Sequence, residues 1–346
     1  MGWTGDAHAF APTANYLYDA SGFWRGWHKD IWAEQQQDGL MIPPMTVPDL
    51  PVGFPAMPTA VWGDVVVANP QQYYLAFGDL AMLAEQYASA QAWIDIGISR
   101  NEVGLWNRST FQFGDWLDPT SPPDNPGGAQ TARHLVADAY LVRMTEVLAN
   151  LSESLGRDNL TEKYRKQHST LLQEFNDAWI ADNGMLANQS QTAYALAIDF
   201  GLLPAADLEL AGATLRQIVA ESDYLVGTGF AGTPTLGSAL TKIGAADDFY
   251  RMLLQTEVPS WLYSVVMNGT TTWERWNSLE PNGSVNAGEM TSFSKLPPIP
   301  QTSNSPPIAR TLKLTHPQTT TPSAPSAPGS TPTSAASRPP RRAGNT

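Results

Sequence analysis

Apolar positions recur every three or four residues through the middle of the chain. Val136, Tyr140, Met144, Val147, Leu151 and Leu155 fall on one face of a helix. Asn159-Leu-Thr161 opens a second helical stretch that runs to about residue 179, and Gly156 punctuates the pair. Further helices are predicted near 70–95, 190–200, 207–221, 235–254 and 258–267. Alternating Val- and Ile-rich segments are scarce, and Val65-Val66-Val67 is the one compact strand candidate. The pattern therefore predicts a mainly α body of antiparallel helix pairs, separated by polar, glycine-bearing loops.

Composition divides the chain in two. After Phe293 there is no aromatic residue and no Asp or Glu, while residues 294–346 hold 12 of the 28 prolines and six Lys or Arg. A Pro/Ser/Thr-rich segment of this kind buries too little apolar area to offset its ordering entropy, so residues 294–346 are expected to be a disordered, basic tail. Residues 1–293 carry net charge −19 and all 12 tryptophans, against +6 for the tail. An acidic body repels phosphate backbones, which argues against a nucleic-acid partner. No run approaches 18 apolar residues, which argues against a membrane span. The absence of cysteine excludes disulfides, thiol nucleophiles and Cys-ligated zinc.

Four loops share a chemistry. Gly2-Trp3-Thr4-Gly5-Asp6, Trp62-Gly63-Asp64, Phe113-Gly114-Asp115-Trp116-Leu117-Asp118 and Thr270-Thr-Thr-Trp273-Glu274-Arg275-Trp276 each couple an indole to a carboxylate. The apolar face of a pyranose lies on an aromatic ring, and carboxylates accept its hydroxyl protons. Glycoside hydrolysis also needs two carboxyl groups, one protonated and one ionised. Any one such loop is readily explained as packing, because Trp fills cores and Asp caps helices. Four in one chain favour a carbohydrate site. Trp24, Trp27 and Trp32 form a cluster that reads as packing, as do Trp93, Trp106, Trp179 and Trp261.

His8, His28, His134 and His168 are scattered without a metal-ligand spacing, and His316 lies in the tail. No Gly-x-Ser-x-Gly elbow, Walker loop or dinucleotide fingerprint occurs. No metal and no cofactor are expected. Six Asn-x-Ser/Thr sequons, at Asn107, Asn150, Asn159, Asn188, Asn268 and Asn282, point to a secreted parent protein. The first residues carry neither a basic nor an apolar leader segment, so no signal peptide is expected in this chain.

The four loops together resemble the catalytic domain of bacterial and fungal α-L-rhamnosidases, glycoside hydrolase family seventy-eight. The resemblance covers about residues 1–293, and the first and last motifs are its most specific parts. It implies an (α/α)6 barrel, incomplete here, that removes terminal α-L-rhamnose from glycosides by inversion. Glu274 then matches the general base, and Asp6 a carboxylate that binds rhamnose hydroxyls. Trp3, Trp62 and Trp116 match indoles lining the sugar pocket. Asp64, beside Trp62, is expected to contact a hydroxyl. In an inverting pair the carboxyl groups stand about 6.5–9.5 Å apart, leaving room for water.

Two departures from the family pattern shape the expectation of activity. The family's general-acid glutamate stands just before Gly-Trp-Thr-Gly-Asp, where this sequence has Met1 directly before Gly2. Lys295 stands where the family has an active-site histidine. The resemblance therefore implies a catalytic-domain fragment with weak or no turnover. Two alternatives stay open, a non-catalytic rhamnose-binding remnant that uses Trp3, Asp6, Trp62 and Trp116, or a non-functional truncated product. Elimination on uronate polymers is disfavoured, because the motif loops are acidic and Arg275 is their only nearby cation. The expected partners are rhamnose-containing glycosides; the oligomeric state is left open.

Overall fold

The computed structural model describes residues 2–50 and 57–286. The expected tail at 294–346, the boundary at 293 and Lys295 lie outside the described residues. Within them the chain forms eleven α-helices and one two-stranded ribbon. The ribbon pairs β1 (Gly2–Trp3) with β2 (Thr46–Val47). The helices are α1 (Thr4–Leu17), α2 (Ser21–Gln35), α3 (Val65–Phe77), α4 (Leu80–Ala92), α5 (Arg133–Ser154) and α6 (Asp158–Trp179). They continue with α7 (Gln191–Asp199), α8 (Leu208–Glu221), α9 (Thr233–Lys242), α10 (Ala246–Leu253) and α11 (Trp261–Val266).

Three of these helices have almost no wet face, and that sets the architecture. Residues 65–70 of α3, most of α5 and residues 191–198 of α7 are buried on all sides. A helix that is buried all round must have neighbours on every flank. Here α1, α3, α5, α7 and α9 pack on one another in sequence as an inner row. The even-numbered α4, α6, α8 and α10 each fold back on the preceding inner helix, and α2 packs on α3 and α4. This is the hairpin architecture of an (α/α)6 barrel. Because each connection reverses direction, the inner helices run parallel and present their N-termini at one end.

Within the described residues the barrel has five helix pairs, α1–α10, followed by the short α11, and is incomplete there. Apolar residues are exposed on the first and last helices: Phe10, Tyr16 and Leu17 on α1, Val265 and Val266 on α11. No helix among the described residues is long and apolar enough to cross a membrane.

The helix pair predicted around Gly156 is present as α5 and α6, with Gly156 at φ 65° in the connection. Other boundaries differ. The stretch 70–95 is two helices broken at Gly78, whose φ of 69° only glycine adopts without strain. The stretch 235–254 breaks in the same way at Gly244, φ 73°. Val65-Val66-Val67 is not a strand but the first turn of α3, fully buried. Its inner position overrides the β preference of valine. Thr4, Gly5 and Asp6 are likewise the first turn of α1 rather than a loop. The ribbon fixes that turn, because Thr4 donates both its N–H and its hydroxyl to the Met45 carbonyl at 2.9 and 3.1 Å.

A smaller apolar cluster of Ala11, Ala14, Trp24, Tyr73 and Met82 joins α1 to α4. His28 of α2 is buried beside it, edge-on to the Trp27 and Tyr73 rings at 5.5 and 6.0 Å. Burial lowers its pKa to about 3, and its Nε2 has no hydrogen-bond partner. The folded state thus keeps His28 neutral where the unfolded chain protonates it, so stability is intact above about pH 6.5 and falls as pH drops toward 3. Urea unfolding at pH 6 and pH 4 should show the native chain losing about 2 kcal/mol more than His28→Phe. Equal losses in the two proteins would remove His28 from the acid response.

Candidate active site

The N-terminal ends of the inner helices gather the four motif loops, and a buried carboxylate joins them. Asp115 lies in the long connection before α5 and is fully buried. Its Oδ2 accepts from the Thr192 hydroxyl on α7 and from the Gly229 N–H at 2.7 Å. Its Oδ1 accepts from the N–H groups of Ala231 and Gly232 at 3.0 and 2.9 Å. Burial nevertheless pushes its pKa up to about 6, against the pull of these donors. The turn before α9 is thereby held against the Asp115 loop so closely that a Cβ at Gly229 would lie 2.5 Å from the Trp116 carbonyl oxygen. The Phe230 N–H then donates to the same Trp116 oxygen at 2.7 Å.

This fastening builds an aromatic stack. Phe230 stacks on Trp62 with ring centroids 5.2 Å apart, and Phe113 packs on Trp62 at 4.1 Å. Trp116 meets Phe113 edge-on at 5.2 Å and stays half-buried. The first turn of α1 closes on the same indole: a Cβ on Gly5 would lie 2.6 Å from Trp62. Only glycine permits this approach.

Trp62 is aimed by a strained neighbour. Val61 has φ 69°, a costly conformation for a β-branched residue. Its N–H donates to Asp64 Oδ2 at 2.6 Å, and its carbonyl accepts from His8 Nδ1 at 2.7 Å. A carbonyl only accepts, so His8 carries its proton on Nδ1. Desolvation lowers the His8 pKa, with the Val61 bond opposing it.

Asp64 therefore departs from expectation. It has no exposed surface; Oδ1 accepts from Trp93 Nε1 at 2.9 Å and Oδ2 from Val61. Burial pushes its pKa up to about 6. With both oxygens engaged inside the protein, Asp64 sets the backbone under Trp62 and leaves no surface for a sugar hydroxyl. Trp62 itself is 5% exposed. It offers an edge rather than a face.

Asp6 and Glu274 are both exposed. Desolvation raises the pKa of Asp6; its own backbone N–H opposes this, and the like charge of Glu274 adds to the rise. The carboxylates of the first and last motifs thus lie close enough for their charges to interact. Glu274 is braced on its C-terminal side. Trp276 Nε1 donates to the Thr228 carbonyl at 2.9 Å, and buried Arg275 reaches the Ser121 carbonyl at 3.4 Å. Both anchors belong to the segments flanking the Asp115 contact. Trp3 is half-buried at the start of α1 and packs on the main core.

Phe230, His8 and Thr192 complete this arrangement, although no motif marked them in the sequence. The Gly229-Phe-Ala-Gly232 spacing was the one available signal for the turn that carries Phe230. No group of three or more metal-ligating side chains occurs among the described residues.

Residues 1–295 match the model of the bacterial α-L-rhamnosidase six-hairpin glycosidase domain. The chain belongs to this family. Among solved structures, it is similar to the native α-L-rhamnosidase of Aspergillus terreus, 52% identical with TM-score 0.80, over 83% of this chain and 33% of that one. A Streptomyces avermitilis α-L-rhamnosidase, solved in complex with L-rhamnose, is 30% identical with TM-score 0.71, over 82% of this chain and 26% of that one. The α-L-rhamnosidase of Alteromonas sp. (strain LOR) is 32% identical over 85% of this chain and 32% of its own length. The chain thus spans about a third of the length of these rhamnosidases.

The mouth depends on Asp115, and removing the carboxylate would leave three backbone N–H groups buried without acceptors. Asp115→Ala should lower the unfolding free energy by about 3 kcal/mol or more, and Thr192→Val by about 1 kcal/mol, in chemical denaturation. A loss below about 1 kcal/mol in Asp115→Ala would show that the turn holds without it.

Proposed function

We propose that this chain carries the sugar-binding face and the general base of an inverting α-L-rhamnosidase acting on rhamnose-containing glycosides. The observation that supports it best is that one fastened unit carries both the Trp62–Phe113–Trp116 aromatic stack and, through the Trp276 bond to Thr228, the Glu274 loop, with Glu274 close enough to Asp6 for their charges to interact. The L-rhamnose complex of the Streptomyces avermitilis relative supports the choice of sugar.

In this reading Asp6 accepts hydroxyl protons of the rhamnose ring. Trp3, Trp116 and the edge of Trp62 give apolar contact to its faces and its methyl group. Glu274 takes a proton from water as the water oxygen attacks the anomeric carbon from the side opposite the leaving group. Departure of the aglycone oxygen then calls for a proton donor. Asp64, Asp115 and Asp118 are buried and accept internal hydrogen bonds, so none of them serves. We assign no donor among the described residues. Without one, hydrolysis loses general-acid assistance worth about 10²–10⁴-fold, and binding outlasts turnover.

Hydrolysis of an aryl α-L-rhamnoside by the 346-residue chain should therefore run at least about 100-fold below a full-length relative, with KM little changed. Glu274→Gln should cut the residual kcat by a further factor of about 100. Turnover equal to the full-length enzyme would overturn the impairment, and unchanged hydrolysis by Glu274→Gln would take that residue out of the base role.

A further inference from the structure

The six sequons are equivalent in the sequence but not in the fold. On a helix, residues i and i+2 do not face each other, so a helical sequon points its amide and its hydroxyl to different sides. Asn150 is exposed on α5, yet the Ser152 hydroxyl is buried and donates to the Leu148 carbonyl. Asn159 is exposed at the start of α6, while Thr161 is buried and donates to the Arg157 carbonyl. Asn188 is committed at both ends. Its Oδ1 accepts from the Ala132 N–H at 3.1 Å and its Nδ2 reaches the Gln130 carbonyl at 3.4 Å, with Ser190 buried against Thr131.

Two sequons have a different geometry. Asn107 Oδ1 accepts from both the N–H and the hydroxyl of Ser109, at 3.0 and 2.9 Å. Asn282 Oδ1 accepts from the N–H and hydroxyl of Ser284, at 2.9 and 2.7 Å. In both tripeptides the hydroxyl is turned onto the amide oxygen, and Oδ1 rather than Nδ2 makes the contacts within the turn. Asn282 and Ser284 are exposed at the tip of the Leu279–Val285 bridge, and Ser109 is exposed beside Asn107. These turns are closed by contacts two residues apart, so they form without the rest of the fold. Asn268, at φ 59°, shows no such closure among its described contacts.

We infer that Asn107 and Asn282 are the N-glycan acceptors of this chain, favoured over Asn150, Asn159 and Asn188. The glycosyl donor is a lipid-pyrophosphate-linked oligosaccharide of the secretory pathway. Asn Nδ2 bonds to the sugar C1 as the C1–O bond to pyrophosphate breaks; the lipid pyrophosphate leaves with the electron pair, and an Nδ2 proton passes to a base of the transferase. The Asn188 nitrogen, in contrast, faces the Gln130 carbonyl.

The test is secretion of the full 346-residue chain from a glycosylating eukaryotic host behind a cleavable leader. Site occupancy is then read by mass spectrometry after amidase release in heavy-oxygen water. Occupancy at Asn107 and Asn282 should exceed that at Asn150, Asn159 and Asn188 by at least about five-fold, the contrast expected when the sequon hydroxyl is exposed rather than buried. Asn107→Gln and Asn282→Gln should each remove one glycan step on a gel. Ser109→Ala and Ser284→Ala, which keep the asparagine, should do the same. Occupancy of the helical sequons equal to the turn sequons, or no glycan at either turn, would overturn the inference.

Discussion

A single buried carboxylate holds the candidate site together. Asp115 has no access to water, and an isolated charge in that position would cost several kcal/mol. Four donors from two other elements offset this: the Thr192 hydroxyl and the N–H groups of Gly229, Ala231 and Gly232. The consequence is geometric. Phe230 is forced onto Trp62, and the Thr228 carbonyl is offered to Trp276, two residues from Glu274. The aromatic half of the mouth and the carboxylate half are thus set by the same interaction.

The barrel makes this possible by bringing inner-helix N-termini to one end. Carboxylates are favoured at such ends by the helix dipole. Asp6 enters the first turn of α1, Asp64 precedes α3, and Asp115 faces the Ala231 and Gly232 N–H groups at the start of α9. The acidity that looked like a bulk property of residues 1–293 therefore has a local component where the motifs meet. Glycine sets the spacing between elements there. Gly5 against Trp62 and Gly229 against the Trp116 carbonyl are approaches that a single Cβ would block.

Much of the fold was legible, and the limits were physical. The α5–α6 pair showed a three-to-four-residue period, and a buried α5 beside an amphipathic α6 kept it visible. Burial on all sides removes the polar stripe that marks a helix period; in α5 the length of 22 residues and the stop at Gly156 still marked it, whereas in the 13 residues of α3 Val65-Val66-Val67 looked like a strand. The breaks at Gly78 and Gly244 are single glycines in otherwise helical sequence. At the site, the pairing of indoles with carboxylates was plain in the four loops. Which carboxylates face the mouth was not, since Asp6 and Asp64 look alike beside their tryptophans. Only the Trp93 indole and the strained Val61 N–H show that Asp64 is an internal support.

The central claim is that the N-terminal end of the inner helices is a sugar site. A titration of the folded chain with L-rhamnose, followed by tryptophan fluorescence, tests it most directly, because Trp3 and Trp116 are half-buried at that mouth. A sugar site there gives a saturable change that D-glucose does not reproduce and that Asp6→Ala abolishes while the chain stays folded. A folded chain with no saturable response to L-rhamnose, or an undiminished response in Asp6→Ala, would contradict it.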